Sequence, residues 1–292
     1  MIPQPVTIAV LILAHTNPAQ VSRLVAHLDA DFDVFVHLDK RSNIRIGDFD
    51  GFARTKAIKK VRATWGSLGI VRATLELLAL ASSGAGYDRY VLISGQDLPL
   101  KTNPNIAAFF SEHPKTDFVD SNTFAEAEQS RLTRVSRFHF FPRRTFSHVL
   151  TTVLANVSRR LDAMLSLAGV RRSMKYRFRW GSQWMDLTSD TVDQVLRLVR
   201  DNKGFLKRFR FTFCPDEVFF QTAIESCGST GLSLKSPRRY IDWKTGPEHP
   251  RVLRKEDLAM VEASDMLFAR KCDTSIDPDL VERLYARVDH KR

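Results

Sequence analysis

The segment Phe213-Cys214-Pro215-Asp216-Glu217-Val218-Phe219-Phe220-Gln221 sets two adjacent acids between a proline and a run of large apolar residues. Pro215 fixes its own φ and turns Cys214 away from the helical region, so a helix is expected to begin here with Asp216 and Glu217 in its first turn. Phe219 and Phe220 would bury that helix. Residues 217 and 221 lie one turn apart, so Glu217 could open on a cleft while Phe220 faces the core. A carboxylate pinned in this way is a candidate general base. A structural alternative stays open, because acids also favour the positive end of a helix without any catalytic role.

A second acid, Asp97, follows Ser94-Gly95-Gln96, where Gly95 admits close approach of a backbone or ligand and Pro99 forces a turn. That setting suits substrate binding, and it equally suits an aspartate that satisfies loop amides. A third constellation is basic: Arg238-Arg239-Tyr240-Ile241-Asp242-Trp243, then His249-Pro250-Arg251, then Leu267-Phe268-Ala269-Arg270-Lys271. Arginine offers paired donors and lysine a compact charge, so two such groups from separate segments could clamp a diphosphate; solvated charged faces produce the same pattern. Neither a Gly-x-x-x-x-Gly-Lys-Ser/Thr loop nor a Gly-x-Gly-x-x-Gly fingerprint occurs. The acid pairs Asp29/Asp31, Asp31/Asp33 and Asp48/Asp50 have metal-ligand spacing but fall at the wrong end of the sheet or in a loop, and are read as surface acids.

The elements that must position these residues alternate between strand and helix. Val6 to Leu13 is a continuous apolar run, the pattern of a strand buried on both faces of a parallel sheet. It ends at Ala14-His15-Thr16-Asn17-Pro18, a cap and proline that open a helix through Leu28. Phe32 to Asp39 forms the next strand. His15 and Asp39 therefore sit at the carboxyl ends of a βαβ unit, where ligands bind in such sheets. Further along, 57–62 reads as a short strand, 69–82 as a helix, 90–94 as a third strong strand, 105–113 as a helix and 117–120 as a short strand. The expected class is α/β.

The 292 residues are ordinary in being 43% hydrophobic, and unusual in carrying 44 Lys plus Arg against 33 Asp plus Glu, a net charge of +11. Such a balance favours anionic partners. Three cysteines, without Cys-x-x-Cys, suggest neither a disulfide framework nor a zinc site. Val6 to Ala14 is too short to span a bilayer and lacks a signal peptide's charged start. Residues 131–179 are rich in Arg and Phe, with Arg143-Arg144, Arg159-Arg160 and Arg171-Arg172 around an amphipathic middle. A basic amphipathic helix can lie on an anionic membrane, or pack on the protein body through one face.

Taken in order, Ile12-Leu13-Ala14-His15, Val36-His37-Leu38-Asp39-Lys40, Trp65-Gly66, the block from Tyr90 to Thr102, Gly181-Ser182-Gln183-Trp184, Pro215-Asp216-Glu217, Arg239-Tyr240-Ile241-Asp242-Trp243 and Leu267-Phe268-Ala269-Arg270-Lys271 resemble the core-2/I-branching β-1,6-N-acetylglucosaminyltransferase family, which includes the peptide O-xylosyltransferases. The resemblance implies one GT-A type glycosyltransferase domain over 1–292, with a Rossmann-like, mostly parallel central sheet flanked by helices. Residues 1–125 would form a nucleotide-binding half, 126–179 a basic amphipathic segment, and 180–292 an acceptor and catalytic half.

By that resemblance the chain is an inverting enzyme moving N-acetylglucosamine or xylose from a UDP-sugar to a hydroxyl of a glycan, lipid-linked or protein acceptor. Glu217 would be the base. His15, Asp39, Trp65, Arg251 and Lys271 would bind the donor, with Asp39 at the uridine or ribose and the pair Arg251 and Lys271 on the diphosphate in place of a metal. Asp97, Lys101 and Trp243 would line the acceptor side. No metal or other cofactor is expected, and no nucleic acid. The animal members carry a membrane anchor, a stem and many disulfides, so a compact, prokaryote-type relative is expected here. Its implied location is cytoplasmic, with peripheral contact at the anionic inner face of the membrane. The other classes weighed are a basic nucleic-acid-binding protein, without a recognisable motif, and an inactive scaffold of polysaccharide assembly.

Overall fold

The computed structural model describes residues 6–84, 86–124, 129–140, 148–228, 233–246 and 250–289. Arg143-Arg144 and His249 lie outside them. The chain opens with β1 (Ile8–Ala14), α1 (Pro18–Asp29) and β2 (Asp33–Leu38), as the apolar runs and the Asn17-Pro18 signal require. The Asn17 side chain caps α1 by accepting from the Gln20 amide at 3.3 Å. Next come β3 (Thr55–Ile58), α2 (Leu68–Ser82), β4 (Arg89–Ser94), β5 (Asp97–Pro99), α3 (Asn103–Ser111), β6 (Thr116–Val119) and β7 (Asn122–Thr123). The third strand comes earlier than its apolar run suggests. At Val61 the amide is given to the His37 ring at 3.2 Å, and Lys59 reaches the carbonyls of Ser42 and Ile44 at 2.6 and 2.8 Å, so the chain has already left the sheet.

Two helices, α4 (Gln129–Ser136) and α5 (His148–Leu167), occupy the basic segment. They are followed by β8 (Arg179–Trp180), β9 (Met185–Thr188), α6 (Ser189–Asp201), α7 (Lys203–Arg208) and α8 (Phe219–Ser226). The rest is β10 (Ser233–Lys235), β11 (Arg239–Ile241), α9 (Leu258–Ala263), β12 (Phe268–Arg270) and α10 (Pro278–Asp289). One expectation needs correcting: α8 starts at Phe219, and the two acids occupy a separate single turn of 3₁₀ helix, Pro215–Glu217. Val218, at φ −134°, breaks the helical path between them. Glu217 and Gln221 therefore do not stack on one helix face.

Seven strands form the central sheet in the order β10-β6-β9-β4-β1-β2-β3. The pairings β1 with β2, β1 with β4, β2 with β3 and β6 with β10 are parallel, while β9 runs antiparallel between β4 and β6. A smaller sheet joins β11, β12 and β5. Because side chains alternate along a strand, β1 feeds two cores. Val10 and Ile12 pack with Val21, Leu24, Val25 and Leu28 of α1, whereas Ala9 and Leu11 pack with α2, α6 and α8, where Phe219 and Phe220 are both sealed from water. Each fully buried leucine or phenylalanine contributes about 1.5–3 kcal/mol. The class is α/β, with a mostly parallel sheet flanked by helices. No described helix is long and apolar enough to cross a membrane.

Candidate active site

From β1 the chain steps outward through β2 to β3, then returns to place β4 on the other side of β1. At such a reversal the loops leaving the strand ends diverge and a crevice opens beyond their carboxyl ends. A cleft of about 550 Å³ lies there, walled by His15 after β1, Asp39 and Arg41 after β2, Ser94 and Gln96 after β4, and Ala63 and Trp65 from the loop before α2. Gln183, Trp184, Arg270 and Lys271 close it from the other side. Backbone bonds from Asp39 to the Ala14 carbonyl (2.8 Å) and from Gly95 to the Leu13 carbonyl (3.1 Å) hold the strand ends together. A Cβ at Gly95 would meet the Val21 side chain at 2.7 Å, so any larger residue there requires Val21 to shift.

Of the donor candidates, His15, Asp39, Trp65 and Lys271 are brought into this one cleft. Asp39 accepts from the amides of Arg41 and Ala63, each at 2.7 Å, and from the Arg41 guanidinium at 3.3 Å. Burial alone would raise its pKa; these bonds outweigh burial and hold the carboxyl below the ordinary aspartate value. His15 is exposed into the cleft yet hemmed in by its walls. Loss of bulk water is the first cause lowering its pKa; Asp39 opposes this, and Arg270, Lys271 and Arg41 add to it. A neutral imidazole beside three cations leaves the wall ready for an anion. Trp65 is half exposed and meets the Phe213 ring edge-on, with centroids 5.7 Å apart.

Arg270 lies in the basic run read as one arm of a diphosphate clamp, in which Lys271 is the residue assigned the contact. Its guanidinium lies 4.1 Å above the Trp184 ring and bonds to Ser94 Oγ and to Asp97 Oδ2, the latter at 2.7 Å. Asp97 is completely buried and also accepts from the Ser94 amide at 2.8 Å. It is the cross-strand partner of Arg270 between β5 and β12. Asp97 therefore aims Arg270 at the cleft and presents no surface to an acceptor.

Three other candidates stand apart from the cleft lining. Arg251 is spanned by two carboxylates, Asp242 at 2.9 Å and Asp257 at 2.7 Å, which raise its pKa further. A diphosphate would have to displace both. The Lys101 ammonium donates to the Ser264 carbonyl at 3.3 Å. Trp243 is half exposed on the loop between Asp242 and Lys244.

Glu217 does not line this cleft and is tied to its wall through the backbone. Its carbonyl accepts from Gly181 at 2.9 Å, and Gln221 of α8 holds the Ser182 carbonyl at 2.7 Å. The loop carrying Gln183 and Trp184 thus hangs between the Pro-Asp-Glu turn and the cleft wall. The Glu217 side chain is about one third exposed and forms an ion pair with Arg134 of α4. Nothing in the sequence marks Arg134 beyond its Arg-rich surroundings. Asp216 is the opposite case: it is buried, its Oδ1 has no hydrogen-bond partner among the described residues, and burial followed by the Glu217 charge pushes its pKa up to about 7. Among the described residues, no group of three His, Cys, Asp or Glu side chains is assembled for a metal ion.

A larger cleft, of about 1030 Å³, adjoins this site through Gly66 and Phe213 and is ringed by Lys40, Lys60, Arg62, Arg72, Arg200 and Arg210. It takes none of the strand-end residues after β1 or β4. The smaller cleft is therefore the better candidate for donor chemistry.

Comparison with known proteins agrees with the motifs. The chain is 23% identical over 312 residues to xylosyltransferase 1 of Rattus norvegicus, covering 97% of this chain and 36% of that protein. It is 23% identical over 308 residues to xylosyltransferase 2 of Homo sapiens, covering 96% of this chain and 33% of that protein. The chain thus spans about a third of the length of these relatives. Among solved structures, a 4-diphosphocytidyl-2C-methyl-D-erythritol synthase superposes with a TM-score of 0.39 at 9% identity, over 88% of this chain and 98% of that one. The family model of the Core-2/I-Branching enzyme matches residues 8–267, so the chain belongs to that family.

Proposed function

We propose that this chain is an inverting glycosyltransferase of GT-A type that takes a sugar from a UDP donor and passes it to a hydroxyl of a glycan, protein or lipid-linked acceptor. The observation that carries the proposal is the convergence of His15, Asp39, Trp65 and Lys271, from four separate family-like segments, on one cleft at the strand ends. Xylose and N-acetylglucosamine are the donor sugars the reading favours, the first being the sugar in the relatives' name.

In this mechanism the uridine end lies against Asp39, and the diphosphate faces Lys271 and Arg270. The Glu217 carboxylate takes the proton of the acceptor hydroxyl. The oxygen attacks the anomeric carbon from the face opposite UDP, the bond from that carbon to the β-phosphate oxygen breaks, and its electron pair leaves with UDP. One carboxylate suffices, because one proton is removed on one face. The charge that grows on the leaving diphosphate is met by the two cations, a role otherwise filled by a divalent ion. Arg251, spanned by its two carboxylates, is assigned to bracing the loop that bears Trp243, which is kept as an acceptor contact.

The test is UDP release from UDP-xylose and UDP-N-acetylglucosamine in the presence of glycan acceptors, with and without EDTA. Glu217→Gln is expected to lower kcat by about 10²–10⁴-fold with an unchanged melting curve. Turnover is expected to survive the chelator. Wild-type rates in the Gln variant would remove Glu217 as the base, and loss of turnover with EDTA would remove the metal-free reading.

A further inference from the structure

Helix α5 carries apolar residues on its outer side as well as its inner one. Its inner side holds half-buried Leu154 and Leu165 together with Ser158 and Asp162, the last two at 6% and 8% exposure. Both bind backbone amides of the preceding segment, Ser158 Oγ accepting from Phe140 at 3.1 Å and Asp162 Oδ1 from Phe138 at 2.7 Å. Its outer side carries Val153, Val157, Leu161, Met164 and Leu167, which are 38% to 90% exposed. Steps of four, four, three and three residues put these five on a single face, and Val170 and Met174 extend the apolar surface beyond the helix end. A helix that packs on the body of a soluble protein normally leaves a polar face outward, and this one does not.

Charge indicates what covers this face. Arg159, Arg160, Arg171, Lys175 and Arg177 are exposed along the same stretch. The only acid between 148 and 177 is Asp162, and it points inward. The outer surface is thus apolar and cationic without compensating negative charge. A second copy of the chain would bring two such cationic faces together, which is unfavourable. An anionic lipid surface satisfies both components, with apolar side chains entering the acyl boundary and guanidinium and ammonium groups meeting lipid phosphates.

We propose that the outer face of α5, with the chain through Arg177, is the surface by which this protein docks on an anionic bilayer. Docking places the chain on the membrane without crossing it, since α5 is not apolar enough to span one. The proposal does not depend on the transferase reading, because binding is measured without turnover.

The experiment is co-sedimentation of the whole chain with phosphatidylcholine vesicles and with the same vesicles containing about one third phosphatidylglycerol. Binding is expected to the anionic vesicles only, to weaken with added salt, and to fall by at least about tenfold when Leu161→Asp and Met164→Asp are combined. Both positions are exposed, so the melting curve of the double variant should match that of the parent. Equal binding of variant and parent, equal binding to neutral and anionic vesicles, or no binding at all would overturn the proposal. So would sedimentation showing a dimer that the same two substitutions dissociate.

Discussion

At Asp216 a carboxyl group is sealed from water, while the carboxyl beside it on Glu217 reaches solvent and Arg134. The pair was legible in the sequence as two acids after a proline, but the difference between them was not. It depends on which way a 3₁₀ turn rotates, and on an arginine 83 residues away. The contrast has a thermodynamic consequence. With its pKa near 7 in the folded chain, against 3.8 for an ordinary aspartate, Asp216 holds a proton that the unfolded chain releases above about pH 4. Folding therefore takes up a proton between those values, and stability contributed at low pH is lost as pH rises from about 4 to about 7. Asp216→Asn is expected to flatten that fall and to raise the melting temperature at pH 8 relative to the parent. Melting curves across the pH range measure both; an unchanged pH profile would mean that Asp216 is not the group responsible. Arg270 shows the same limit on sequence reading, since it becomes conspicuous only when β5 and β12 pair and set Asp97 behind it.

The strands β1, β2 and β4 were legible because burial on both faces imposes a continuous apolar run, and α1 because Asn17 and Pro18 announce it. Elements set by contacts far along the chain were less so. The start of α8 moves to Phe219, and β3 ends at Ile58, three residues before the Val61 amide that His37 captures. The loop from Gly181 to Trp184 belongs to this second kind. Its glycine is packed so closely that a Cβ would lie 2.3 Å from the Asp120 carbonyl oxygen, and its amide holds the Glu217 carbonyl. Backbone cannot yield as a flexible side chain does, so Gly181→Ala must displace the loop. The expected cost is about 2 kcal/mol or more of stability. A fall in kcat should accompany it, because Gln183 and Trp184 move with the loop. A variant that melts and turns over like the parent would show that the loop does not couple the Pro-Asp-Glu turn to the cleft.

On the scale of the whole molecule, the cleft exists only because two sheets meet. The seven-stranded sheet supplies His15 and Asp39, the three-stranded sheet ends in Arg270, and Lys271 follows it directly. Between the sheets Arg239 of β11 grips Asp186 of β9 with both guanidinium ends, bonds to the Leu92 carbonyl of β4 at 3.1 Å, and is 6% exposed. In the sequence this arginine reads as part of a basic run that could bind a ligand, since composition does not tell a solvated charge from a buried one. Buried ion pairs gain little over apolar replacements, yet they are costly to break one side at a time. Arg239→Ala is therefore expected to destabilise by about 3–5 kcal/mol, leaving the buried Asp186 carboxylate without its two guanidinium bonds and with only the nearby charge of Arg89. Replacing both partners, Arg239→Met with Asp186→Leu, should recover most of that loss. If the pair serves only to join the sheets, the double variant should also regain UDP affinity by calorimetry, since Lys271 and Arg270 return to their places. Stability recovered without UDP binding would mean that Arg239 sets the approach of the sheets more finely than packing alone can.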